Sequence, residues 1–207
     1  MTVSEIIQET AKKYDLHQLD CMDFWYKRDD ILFMAKEVRN IGYSTWTISF
    51  KPLYTDELVY QILEAGGGPS ARYQWEQFKK RAALMRIRSG LTGPAKKICS
   101  SEYELPSTEE EYRKFYEKRF EEFMEMTKDI KDSDYATDTE LSMINILAAL
   151  HKKDYERATK LTDKISSLGR IFSKAKNTRP EDELLWYRDY LTWKKNIKKY
   201  IESVNGK

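Results

Sequence analysis

An all-α protein is the fold class that this sequence predicts: antiparallel helical hairpins in a bundle or short α-solenoid-like array of about seven or eight helices. Three observations carry the expectation. Charged residues make up 34% of the 207-residue chain while glycine and proline number only 8 and 5, a composition that favours helices over strands and turns. Several segments repeat apolar residues at steps of three and four. Ser/Thr-x-x-Glu boxes, which satisfy the free amides of a helix start, precede three of those segments. Aromatic residues at 13% argue against a disordered chain.

In chain order, residues 3–14 form an amphipathic helix with Val3, Ile6, Ile7 and Ala11 on one side. A second helix is expected over about 20–40, carrying Phe24, Ile31, Met34, Ala35 and Val38 and stopping near Gly42. The following YSTWTISF (43–50) is rich in β-branched and aromatic residues. It has no second strand to pair with, so extended connector, strand and helix start all remain open. Thr55 is positioned to cap a helix carrying Leu58, Ile62 and Ala65. Gly66, Gly67, Gly68 and Pro69 then break the chain. A single helical domain over 1–207 is the expected organisation, with 1–68 and 69–207 as the subdivision if there is one.

Ala71, Trp75, Phe78, Ala82, Met85 and Ser89 form a helical seam that ends at Gly90. Residues 90–106 read as a loop, with room for one short helix. Ser107 and Glu110 read as a capping box for a helix to about 130, with Tyr112, Tyr116, Phe120, Phe123 and Ile130 as its buried stripe. Thr137 with Glu140 and Thr178 with Glu181 supply the other boxes. The first launches the apolar run 141–150, on which the rest of the chain is expected to pack. The second launches a last helix with Trp186, Tyr190, Trp193, Ile197 and Ile201 on one seam. Trp75, Phe78, Phe120, Phe123, Ile144, Leu147, Ala158, Leu161, Trp186 and Trp193 are the expected core.

The run Asp154-Tyr155-Glu156-Arg157-Ala158, following an apolar helix, resembles the turn and second helix of a tetratricopeptide repeat. The resemblance spans about residues 138–169 and implies a helical hairpin in which Ala158 packs against the preceding helix.

Chemistry-bearing patterns are few. Cys21 and Cys99 are isolated and read as reduced thiols, as in a cytoplasmic protein. His17 and Cys21, four residues apart, are the one nucleophile–base pairing within reach in the sequence. His151 reads as a cation at a helix C-terminus. Neither histidine follows a carboxylate at di-metal spacing, so no metal and no cofactor is expected. Gly66–Gly68 lack the Walker spacing of a phosphate loop. Residues 1–15 lack the apolar core expected of a secretory leader, and no run is long enough to span a membrane.

Net charge is only +2, but the charge falls in blocks of alternating sign: acidic to residue 68, basic over 69–101, acidic over 102–140 and basic thereafter. Glu76 is the sole acid of the first basic block. Arg72, Lys79 and Arg86 recur at seven-residue spacing, with Lys80 and Arg88 beside them, and Lys195 and Lys199 on the last helix are expected to extend that surface. The resulting expectation is a non-enzymatic, cytosolic, helical protein–protein interaction module of adaptor, regulator or inhibitor type. The alternative is a nucleic-acid-associated protein that uses the basic helix 70–89.

Overall fold

The computed structural model describes residues 2–18, 23–67, 95–136, 143–164 and 190–206. These residues fall into two compact units, and each is assembled from two stretches of chain. The first takes residues 1–52 and 95–134, the second 53–94 and 135–207.

The first unit overturns the all-α expectation. It holds a five-stranded antiparallel sheet of β1 (His17–Gln18), β2 (Asp23–Arg28), β3 (Ile31–Arg39), β4 (Tyr43–Pro52) and β5 (Lys96–Glu104), paired in sequence order as a meander. The helix expected over 20–40 is in fact the β2–β3 hairpin, with Arg28 opposite Ile31 and Phe24 opposite Ala35. Its two-residue turn puts Asp29 at φ 52, a left-handed conformation that aspartate tolerates better than most residues. Residues 43–50 are strand rather than connector, and part of the segment read as a loop over 90–106 is β5. Antiparallel helical hairpins therefore do not describe this chain.

The next turn, between β3 and β4, places Gly42 at φ 81, and the Asn40 amide donates to the Tyr43 carbonyl at 2.9 Å. An added Cβ at Gly42 would meet nothing within 4 Å, so backbone conformation, not space, is what requires glycine here. Along β4, Ser44, Trp46, Ile48 and Phe50 are buried in alternation with half-buried residues. That is the two-residue period of a sheet with one well-covered face. A bulge at Ile98 shifts the β4–β5 register between Cys99 and Lys97.

Two helices cover that face. The first, α1 (Val3–Lys13), buries Ile6, Ile7, Thr10 and Ala11 and starts with a capping box of Thr2 and Glu5. The cover from the second half of the unit comes from Glu109–Thr127, referred to below as α3. Its capping box is Thr108 with Glu111, one residue later than the sequence suggests, because the Thr108 hydroxyl accepts from the Glu111 amide while Glu111 accepts from the Ser107 and Thr108 amides. Tyr116, Phe120 and Phe123 are buried, whereas Ile130 lies beyond the helix end. Phe120 packs edge-on against Phe24 and Trp46, with ring centroids 4.8 and 5.9 Å apart, and Phe123 does the same to Tyr26 at 5.5 Å. Arg28 closes the helix C-terminus by donating from Nη2 to the carbonyls of Thr127 and Ile130 at 2.9 and 2.8 Å.

The second unit is helical among its described residues. It contains α2 (Tyr54–Ala65), α4 (Met143–His151), α5 (Tyr155–Lys164) and α6 (Tyr190–Asn205). Val59, Ile62, Met143, Ile146, Leu147, Ala158, Trp193 and Ile197 form its core. The first helix begins after Leu53 rather than with Thr55 as a cap, and Thr55 lies buried inside its first turn. At α5 the side chain of Asp154 accepts from the Arg157 amide at 3.0 Å, and Lys153 turns the chain at φ 59. Of the expected core, Phe120, Phe123, Leu147, Ala158 and Trp193 are buried, and Ile144 and Leu161 are half-buried. Trp75, Phe78, Trp186 and the boxes at Thr137 and Thr178 lie outside the described residues.

Candidate functional site

The β3–β4 turn carries an apolar tip. Ile41 is 100% exposed at its apex, with Val38 at 48% and Tyr43 at 39% beside it. The pairing of Val38 with Thr45, two residues from Tyr43, puts Val38 and Tyr43 on the same face of the sheet, opposite the one covered by α3. Large apolar side chains with no contact of their own are scarce on soluble proteins, and grouped ones mark contact surfaces. The turn beneath them is held by the Asn40–Tyr43 hydrogen bond and by nine residues of paired β3, so the tip stands on a rigid base.

Directly behind the tip, on the covered face, lies a polar cluster. Tyr116 Oη donates to Glu37 Oε2 at 2.8 Å, Arg39 Nε donates to Glu37 Oε1 at 3.1 Å, and Arg39 Nη2 donates to Tyr116 Oη. Glu37 is 1% exposed, so the neighbouring guanidinium and phenol supply what water otherwise would. Burial first, and then the Glu37 carboxylate, push the Tyr116 phenol far above its ordinary range. The Arg39 guanidinium also lies over the Tyr112 and Tyr116 rings, at 5.9 and 5.8 Å. Every charge in this cluster has a partner inside the unit. Its evident role is to fix the end of β3 that leads into the tip.

The residues expected from the sequence to form a basic surface are only partly described. Arg72, Lys79, Lys80, Arg86 and Arg88 lie outside the described residues. Lys195 and Lys199 stand exposed one turn apart on α6, with no ion-pair partner among the described residues. Their neighbours behave differently. Lys198 pairs with Asp163 Oδ1 at 2.8 Å and holds that carboxyl below its usual range, and Lys194 donates to the Asp163 carbonyl at 2.8 Å.

The His17–Cys21 pairing does not rest on a helix face. His17 is in β1 and stacks on the Trp25 ring at 4.3 Å, and Cys21 lies outside the described residues. His151 stacks flat on Tyr54 at 3.7 Å, an aromatic contact. Gly66 and Gly67 close the C-terminus of α2, and Gly66 passes so near Asn196 that no Cβ fits between them. Asp29-Asp30 makes a hairpin turn, and Glu109–Glu111 fills the first turn of α3, where the amides of Ser107 and Thr108 just before it pull Glu111 below the usual carboxylate range. Among the described residues no group of three or more His, Cys, Asp or Glu is placed to hold a metal ion, and no helix is long and apolar enough to cross a membrane.

Sequence reasoning missed the apolar tip and the cluster behind it. The signal was the segment Asn40-Ile41-Gly42, a turn-forming pair enclosing one β-branched residue between two strand-like runs. No family model, curated protein or solved structure matches this chain.

Proposed function

We propose that the chain is a cytosolic protein-binding module, an adaptor, regulator or inhibitor, that engages its partner through the β3–β4 hairpin tip. The observation that carries this reading is the complete exposure of Ile41 between Val38 and Tyr43 on a well-paired hairpin. Burying one isoleucine side chain against a partner is worth about 1.5–3 kcal/mol. The paired strands have already met the cost of ordering the loop, so more of that gain survives as affinity. Charge in blocks of opposite sign along the sequence suits a partner guided in by its own charge pattern.

A photo-crosslinker placed at Ile41, Val38 and, as a control, Lys195 tests the reading in cells of the native source. The expected result is one protein adduct of the same partner mass from both tip positions, with the adduct from position 38 absent when Ile41 is replaced by Asp. Adducts that persist with Ile41→Asp, or that form only from position 195, sink it.

A second reading rests on Lys195 and Lys199, which stand unpaired among the described residues while Lys194 and Lys198 are engaged. These two lysines, with the basic segment 70–89, fit a polyanion such as nucleic acid. Binding of labelled RNA or DNA that falls steeply with salt, with a slope reduced by about 1–2 in Lys195→Ala/Lys199→Ala, favours it over the first reading. Absence of binding at low salt removes it.

A further inference from the structure

The sheet of the first unit ends in an open edge. The last strand, β5, is nine residues long and pairs with β4 on one side only. Among the described residues no backbone group bonds to its other side. Which of its groups point outward follows from the ladder. The Leu105 amide donates to the Gly42 carbonyl at 3.1 Å, and hydrogen-bonded pairs then recur at every second residue: Ser44 with Tyr103, Trp46 with Ser101, Ile48 with Cys99. The other side of β4 agrees, because the Asn40 amide donates to the Tyr43 carbonyl and so commits the backbone of Tyr43, Thr45 and Thr47 to β3. Ser100, Glu102 and Glu104 therefore turn their amides and carbonyls away from the sheet. A row of unpaired strand groups is a template for another strand.

The side chains along this edge select the strand that fits. From Lys96 the sequence reads KKICSSEYE, basic at its start and acidic at its end. The bulge at Ile98 puts Lys97 on the exposed face together with Ser100, Glu102 and Glu104. A matching strand has to bring acidic residues to Lys97 and basic residues to Glu104. An antiparallel copy of β5 does both. A parallel copy sets lysine against lysine and glutamate against glutamate, which is unfavourable. An antiparallel copy centred on Glu102 sets the two Glu102 side chains opposite each other. Centring on Ser100, the midpoint of the strand, overlaps its whole length and brings Lys96 and Lys97 to the partner's Glu104. It also moves the two Glu102 side chains apart by four strand residues, about 13–14 Å. The covered face adds an apolar contact. Met126 of α3 is 44% exposed and its sulfur stands 3.6 Å from Cys99 Sγ, one residue from that midpoint.

We propose that the chain forms a two-fold symmetric dimer in which β5 pairs antiparallel with the β5 of a second copy about Ser100, joining the two sheets into one. The outward groups of Ser100, Glu102 and Glu104 gain partners, and the Met126 side chains of the two copies come together beside the axis. Tyr43 lies opposite Glu104, at the end of β5 remote from the axis. The hairpin tips thus stay clear at the two far ends, and the dimer does not depend on what they bind.

Sedimentation equilibrium of the full chain across a concentration series tests this. The expected mass rises with concentration to that of two chains. Glu102→Pro removes an outward amide and no bond to β4, and is expected to leave a monomer. Should that variant fail to fold, charge exchange replaces it. Lys97→Glu and Glu104→Lys each weaken self-association about 10-fold, and the two variants mixed, or both changes in one chain, restore it. Oxidation reads the register. In a chain carrying Cys21→Ser and Cys99→Ala, Ser100→Cys is expected to form an intermolecular disulfide, since facing residues of a bonded pair stand about 5.5 Å apart at Cα, whereas Glu102→Cys is not. A mass of one chain at every concentration overturns the proposal. So does a dimer indifferent to Glu102→Pro and to both charge changes, or a disulfide that forms at position 102 as readily as at 100.

Discussion

Tyr116 shows how a single hydroxyl is bound into the stability of the sheet. Removing it in Tyr116→Phe leaves Glu37, at 1% exposure, with Arg39 as its one partner in the cluster. A buried carboxylate that loses a hydrogen bond costs about 1–3 kcal/mol. The expected outcome is a fall of that size in chemical-denaturation stability, partly recovered in the double variant with Glu37→Gln, because the neutral amide no longer needs the proton of the phenol. Asp23 behaves in the opposite way. Burial raises its pKa, and Lys36 across the strand offsets only part of that rise. A carboxyl whose folded pKa lies above its unfolded one binds protons more tightly when folded. Its contribution is favourable in acid and is lost as pH rises through the raised value. Asp23→Asn is therefore expected to stabilise the protein at neutral pH, and the difference from wild type to close as pH falls below about 4, the ordinary carboxylate range. Denaturation midpoints measured across pH 3–7 check the sign. Tyr14 gives a spectroscopic counterpart: burial, and then its hydrogen bond to Glu121, lift its phenol to about 12, so its phenolate absorbance should appear roughly two pH units later than that of an exposed tyrosine.

At the scale of the element, the close passage of Gly66 by Asn196 fixes how α2 and α6 approach one another. Gly66→Ala places a methyl group on the Asn196 amide, so that side chain or a helix end has to move. The variant is expected to lower the thermal midpoint, and Gly67→Ala to act through a different cause, since Gly67 has open space but sits at φ 90. Adding Asn196→Ala should rescue the first variant and not the second, and thermal unfolding of the two pairs separates them. How much of each element was legible in the sequence follows from its burial. The helices α1 and α3 were readable because one face of each is apolar and the other charged, and their expected and observed bounds differ by only a few residues; the expected start of α6 at Thr178 lies outside the described residues. The β2–β3 hairpin was misread for a physical reason. Leu32 and Met34 are buried on one face and Ile31, Phe33 and Ala35 on the other, so the alternation that announces a strand is erased and ILFMA looks like the apolar side of a helix. That error hid the next element too, because YSTWTISF shows a clean alternation of Trp46, Ile48 and Phe50 and lacked only a partner strand. In β5, Cys99, Ser101 and Tyr103 face the core but are too polar a set to advertise a strand.

At the scale of the whole molecule, the chain leaves the sheet after Pro52 and returns at Lys96 to add β5 beside β4. The helix α2 thus belongs to the second unit although its residues sit between two strands of the first. That order matters while the protein is being made. As the chain emerges from the ribosome, α1 and β1 to β4 appear first, but the strand and helix that complete their unit follow only after α2 has already come out. The apolar side of α2 then has to wait for α4 and α6, the latter being the last of the described helices. Synthesis at about 5–20 residues per second leaves the nascent chain with uncovered apolar surface for several seconds at least. Exposed segments of that kind are what holding chaperones bind. Stalled chains ending shortly after Pro52, after Asp134 and at the C-terminus are expected to show protease protection of the sheet only in the second and third, and protection of α2 only in the third.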